Sequence, residues 1–182
     1  GMLGVQSNSS YFSLLNSFIN SLSSEILSQT IVRPKNAGQT RKPARVSSAQ
    51  MSQVIVKSVQ LDHGGLSLDR RQSTARLAVV TYNETTIPQN LMANYPTIAL
   101  WDSKYVRLNH HAAEIYKQLE QAKILFHSPT LAAQHISEIW TDIEKWWNSH
   151  SVRAARENYC NHYAYQAKYP ALTVASAIAD SI

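Results

Sequence analysis

A single cysteine, Cys160, rules out an internal disulfide, and nothing in the composition points to an oxidising compartment. No hydrophobic stretch approaches the ~20 residues that cross a bilayer and no signal peptide is visible, so the sequence predicts no membrane span and a cytoplasmic location. Among the five glycines there is no GxGxxG or P-loop spacing. A bound phosphate must therefore be held by hydroxyls and a helix N-terminus, not by a glycine cradle. The seven histidines make no metal motif. His110 and His111 are adjacent and point to different sides of a helix, while His127, His135, His150 and His162 lack HExxH or paired-ligand spacing. No metal is expected. A nucleophile elbow is also missing, and nothing marks a Ser-His-Asp triad.

What is present is enough for one core. The chain has 182 residues, 44% of them hydrophobic, which suits a single domain over residues 2–182. Gly1 ahead of Met2 reads as a residue left by expression, with Met2 as the first native position. Net charge is +5, from 17 Lys and Arg against 12 Asp and Glu. Much of the excess lies between Arg33 and Lys57, where Lys35, Arg41, Lys42 and Arg45 occur with no acid among them. That segment has no aromatic residue to stack on bases and no recognisable binding motif, so it reads as a solvated basic loop and no nucleic-acid partner is expected. Residues 34–53, rich in Ser, Gln, Ala, Lys and Arg, are expected to be a flexible loop.

Periodicity divides the remainder. Apolar residues at Leu14, Leu15, Phe18, Ile19, Leu22 and Ile26 predict a helix from about Ser9 to Ser28. Thr30 to Arg33 reads as a strand ended by Pro34, and Val54 to Leu61 as a second extended segment with Asp62-His63-Gly64-Gly65 as its turn. A short helix around Leu66 to Ser73 follows. Asn109 to Ala122 is predicted helical, Ile124 to Phe126 a short edge strand, and Ser128-Pro129 a helix start. The helix from Ser128 carries Ile136, Ile139, Trp140, Ile143, Trp146 and Trp147 on one stripe and breaks at Asn148-Ser149, with Ser151 capping the next helix.

The most informative stretch is ARLAVVTYNETTIPQNLMANYPTIALWD, Ala75 to Asp102. Arg76 to Val80 reads as an internal strand covered on both faces. It stops at Thr81-Tyr82-Asn83-Glu84-Thr85-Thr86, where either of the last two threonines can cap a helix with Pro88 in its first turn. Asn94-Tyr95-Pro96 closes that helix and Thr97 to Trp101 resumes an extended run beside the first. Alternating strands and helices of this kind predict an α/β fold: a Rossmann-like, mainly parallel sheet with helices on both faces and a helical C-terminus. A polar loop at the carboxyl end of a parallel strand, opening onto a helix, is where such sheets bind anionic ligands, although Thr and Asn are also the ordinary capping residues.

From Thr81 onward the chain resembles the C-terminal half of GT-B glycosyltransferases, and in particular sugar transferases found with bacterial surface-polysaccharide genes. The pieces that carry the likeness are TYNETTIPQ (Thr81 to Gln89), NYPTIALWD (Asn94 to Asp102) and IWTDIEKWWNSHSVRAARENYC (Ile139 to Cys160), with AEIYKQLEQAKILFHSPTLAA between them. The resemblance implies a donor-binding domain for a nucleotide-diphosphate sugar, which is a substrate and not a cofactor. It also implies that an N-terminal domain is absent, so that the chain is inactive alone and pairs with that domain or with a second copy. Aromatic residues of the last two helices would then lie bare. Thr85 and Thr86 are the candidates for phosphate oxygens, and Arg33, at a strand end, for the diphosphate charge. Thr81 belongs to the same loop. Asn83, Glu84 and Gln89 are the candidates for sugar or ribose hydroxyls, and His63, where a strand ends, is placed near the base. GT-B enzymes often carry a glutamate where this chain has Gln89, and an amide lacks the charge-assisted strength of a carboxylate. The base that activates the acceptor often comes from the other domain, so no catalytic residue is assigned. The alternative is a non-catalytic α/β remnant or interaction module on the same fold.

Overall fold

The computed structural model describes residues 8–33, 59–62 and 64–164. The predicted loop at 34–53, the start of the extended segment at Val54 and the candidate His63 lie outside them.

Helix α1 (Asn8–Ser21) buries Leu15, Phe18 and Ile19 on one stripe, which Leu22 and Ile26 continue. The helix predicted through Ser28 is broken. Ser23 adopts extended backbone, and its hydroxyl accepts the Ile26 N–H at 3.4 Å to start a separate α2 (Ser24–Ser28). A serine offered this exchange competes with helix propagation. Strands β1 (Ile31–Val32) and β2 (Gln60–Leu61) pair in parallel, Ile31 opposite Gln60. Then come α3 (Leu68–Gln72), β3 (Ala78–Val80), α4 (Thr86–Met92) and β4 (Thr97–Leu100). A 3-10 turn (Ser103–Tyr105) leads to α5 (His110–Gln121), β5 (Leu125–Phe126), α6 (Pro129–Ile139), α7 (Ile143–Trp147) and α8 (His150–Tyr163).

The second sheet has the order β3-β4-β5, all parallel, with Ala78 opposite Thr97 and Ala99 opposite Leu125. β4 is paired on both sides and every residue of it is buried. The Arg76 to Val80 strand, expected to be covered on both faces, is less buried than that. Among the described residues β3 pairs only with β4, and its three residues are half-buried. Its neighbour is nonetheless the one expected.

Strand alternation sorts the core into two layers. Ile98 and Leu100 face a cluster built from α1 and α6, through Leu15, Phe18, Ala132 and Ile136. Val32, Val59, Leu77 and Val79 pack against that same cluster, so both sheet pieces lie under one helical layer. Ala99 and Trp101 face the opposite cluster, from α4, α5 and α8, through Ile87, Leu91, Ile115, Leu119 and Val152. Helices therefore cover both faces of a parallel α/β sheet, as the Rossmann-like pattern requires.

Two C-terminal boundaries differ from expectation. The aromatic helix ends at Ile139 and restarts at Ile143, because Asp142 caps a new turn by accepting the Lys145 N–H at 3.0 Å. Ser149, not Ser151, occupies the N-cap of α8. The aromatic face is covered from within the chain. Trp147 is buried, its indole N–H reaching the Asn94 carbonyl (3.2 Å) and side-chain oxygen (2.9 Å), and Trp146 donates to the Ala122 carbonyl at 3.4 Å. Asn94 sits in the left-handed region at φ 56°. Of the aromatics on α7 and α8, Tyr163 is the exposed one. No helix among the described residues is long and apolar enough to cross a membrane.

Candidate functional site

In each sheet the paired strands are parallel, so their carboxyl ends share an edge: Arg33 and Asp62 follow β1 and β2 in one, and the Thr81–Thr85 loop and His127 follow β3 and β5 in the other.

Asp62 is the most buried polar group of the first edge, at 4% exposure. One carboxylate oxygen accepts the Gly64 N–H at 2.9 Å, and the other is shared by Arg33 Nη1 and Arg71 Nε, each at 3.0 Å. The Gly64 hydrogen bond, then the Arg71 and Arg33 guanidiniums, hold the carboxyl below the usual range against the opposing effect of burial. Two cations on one anion leave the cluster a net single positive charge. Arg33, the candidate for diphosphate, also donates to the Leu66 carbonyl at 2.9 Å, so its described contacts run to Asp62 and Leu66 and not to the threonine loop.

The loop itself is braced from both faces of the sheet. From α1, the Tyr11 hydroxyl meets Thr81 Oγ1 at 2.9 Å while its ring stacks on Tyr82 at 4.7 Å. Burial, with Tyr11 beside it, pushes the Tyr82 hydroxyl well above its ordinary pKa, so it stays protonated. From α5, the Tyr116 hydroxyl donates to Asn83 Oδ1 at 2.8 Å. Glu84 is half-buried, and its carbonyl accepts the Ile87 N–H at 3.3 Å as the helix begins. Thr85 occupies the N-cap of α4 without a side-chain cap hydrogen bond and is exposed. Thr86 is half-buried and Gln89, one turn on, is exposed.

The fold thus brings Thr81, Asn83, Glu84, Thr85 and Thr86 into one loop and helix start, with Gln89 above it on the same short helix. At β5, His127 lies between the Trp101 carbonyl (2.8 Å) and Glu120 (3.1 Å). No group of three His, Cys, Asp or Glu among the described residues could hold a metal ion.

A family model for the LIC12162 family transferase matches residues 4–178. The chain belongs to this family. No curated protein and no solved structure matches it. In this LIC12162-family chain the matched range contains every residue of the edges just described, from Tyr11 to His127.

Sequence reasoning overlooked four residues of these edges. Tyr11 and Tyr116 carry a helical apolar stripe, which hides that each hydroxyl ends on the loop. Asp62 and Arg71 are joined by contacts of tertiary origin. The one local signal was the Asp-x-Gly turn, in which an aspartate side chain takes the backbone N–H two residues on.

Proposed function

We propose that this chain is the donor-binding half of a nucleotide-sugar-dependent glycosyltransferase of bacterial surface-polysaccharide synthesis, built on the GT-B C-terminal pattern. Membership of a transferase family supports the reading. The observation that carries it is the placement of the Thr81–Thr85 loop: it leaves the carboxyl end of a parallel strand and opens a helix, where α/β sheets take ligands. Thr85 and Thr86 offer hydroxyls to phosphate, with the helix-start N–H groups. Arg33 adds charge from the Asp62 cluster. Asn83, Glu84 and Gln89 meet hydroxyls of the sugar or ribose, and Thr81 and His63 complete the set. The base for the acceptor comes from a partner domain or copy, so the chain alone transfers no sugar. The internal pairing of Thr81 and Asn83 favours one rival, a non-catalytic module on the same fold.

Titration of the chain with uridine and guanosine diphosphates, followed by amide NMR, tests this. Thr85, Thr86 and Gln89 should shift first, and Arg33→Ala should weaken binding, more so at low salt. No shift at millimolar nucleotide, or equal shifts over the whole surface, would favour the rival.

A further inference from the structure

We propose that Tyr116 is a positioning residue that fixes which face of the Asn83 amide the loop presents, so that position 83 donates hydrogen bonds to an oxygen acceptor on the ligand. The inference rests on the donor-binding reading.

An asparagine side chain offers an acceptor oxygen and a donor nitrogen, and in a loop it rotates between them. Here the oxygen is taken. The Tyr116 hydroxyl donates to Asn83 Oδ1 at 2.8 Å. The amide nitrogen has no acceptor among the described residues, and it is not a buried atom: His135 Nε2 alone is both buried and without a partner there. With Oδ1 held, the amide nitrogen is the group open to solvent, and its two N–H groups can only donate.

The tyrosine is itself well fixed. Tyr116 is 6% exposed, and its ring packs edge-on against Trp101 at 6.1 Å, Tyr159 at 5.7 Å and Tyr163 at 6.1 Å. A ring held on three sides keeps its hydroxyl at one place, and a hydroxyl that donates there holds Oδ1 toward it before any ligand arrives. A pure donor at this position matches diphosphate oxygens or sugar hydroxyls and rejects a ligand that offers only N–H groups.

Two variants and two probes test this. Tyr116→Phe keeps the packed ring and removes the hydroxyl. It should weaken uridine diphosphate binding by about five-fold, the size of one net hydrogen bond, and should move the Asn83 side-chain NH2 signals of the free chain toward the positions of an unstructured asparagine. In an Asn83→Ala background the same substitution should do nothing further. Uridine without phosphate separates the two oxygen sources. Unchanged nucleoside binding by Tyr116→Phe assigns the donor to phosphate, and a parallel loss assigns it to the ribose. If wild-type chain binds nucleotide and Tyr116→Phe binds it equally, the positioning role is overturned and the donor-binding reading stands. A five-fold loss that persists without Asn83 also overturns the role. Failure of the wild-type chain to bind either diphosphate overturns the donor-binding reading and this role with it.

Discussion

Replacing Asp62 by asparagine removes a charge while keeping shape, and the structure fixes what should follow. The asparagine oxygen can still accept the Gly64 N–H. What disappears is the anionic acceptor that Arg33 Nη1 and Arg71 Nε share at 3.0 Å each. Losing one partner of a fully buried pair costs about 3–5 kcal/mol because the other charge is stranded. Here the arginine side chains are 24% and 26% exposed and can regain water. A loss of about 2–3 kcal/mol is therefore expected, within the range for charge-assisted hydrogen bonds. Urea denaturation at neutral pH reads it as a lower midpoint with an unchanged slope. The pH dependence is a second signature. The native carboxyl is held below the ordinary range, so its contribution is complete above the unfolded pKa of about 3.9 and is lost as pH falls through the folded value. The gap between wild type and Asp62→Asn should hold from neutral pH to about 4 and narrow below it. A variant within about 0.5 kcal/mol of wild type, or a gap that persists unchanged at pH 2–3, would refute the view that this carboxylate anchors the edge.

His135 is buried between Phe126 and Trp146, with Nδ1 3.4 Å from Glu138 and Lys123 nearby, and burial lowers its pKa. The unfolded chain takes up the proton first, so stability should fall as pH drops below about 6.5; His135→Leu should flatten that slope in thermal melts. Ile98, fully buried under α1 and α6, should cost about 2–5 kcal/mol on truncation to alanine, measured by urea unfolding. Tyr11→Phe should cost about 0.5–1.5 kcal/mol through the lost Thr81 contact, and hydrogen exchange should show the loop loosened with the α1 core intact.

Legibility in the sequence tracked how local the cause was. Ser128-Pro129 announced α6 because the cap and the fixed φ act within one turn, and the Ser128 hydroxyl does accept the Leu131 N–H at 3.4 Å. The buried run of β4 and the closure at Asn94-Tyr95-Pro96 were equally local. The break at Leu22-Ser23 was not, since the apolar stripe continues through it while the backbone leaves the helix at those two residues. The pairing of β3 with β4 was legible, but the half-burial of β3 was not, because the cover over a strand comes from distant segments. At the site, the polar loop was visible as composition. What holds it was not: Tyr11 and Thr81 are 70 residues apart, and Tyr116 and Asn83 are 33 apart. The ring of Tyr116 is core and that of Tyr11 packs against the core from α1's side of the sheet, and the hydroxyl at each tip is the part that periodicity does not report.

Asn94 joins two demands that an evolving sequence would ordinarily meet separately. Glycine is the residue a left-handed backbone favours by itself, since it has no Cβ to strain. At this position glycine would keep the carbonyl that the Trp147 indole reaches and lose the shorter side-chain contact at 2.9 Å. Drift toward the easier backbone is thus opposed by a residue 53 positions away. Within the family the two sites should change together: where 94 becomes glycine, selection on the tryptophan at 147 relaxes, and where the tryptophan persists, asparagine should persist with it.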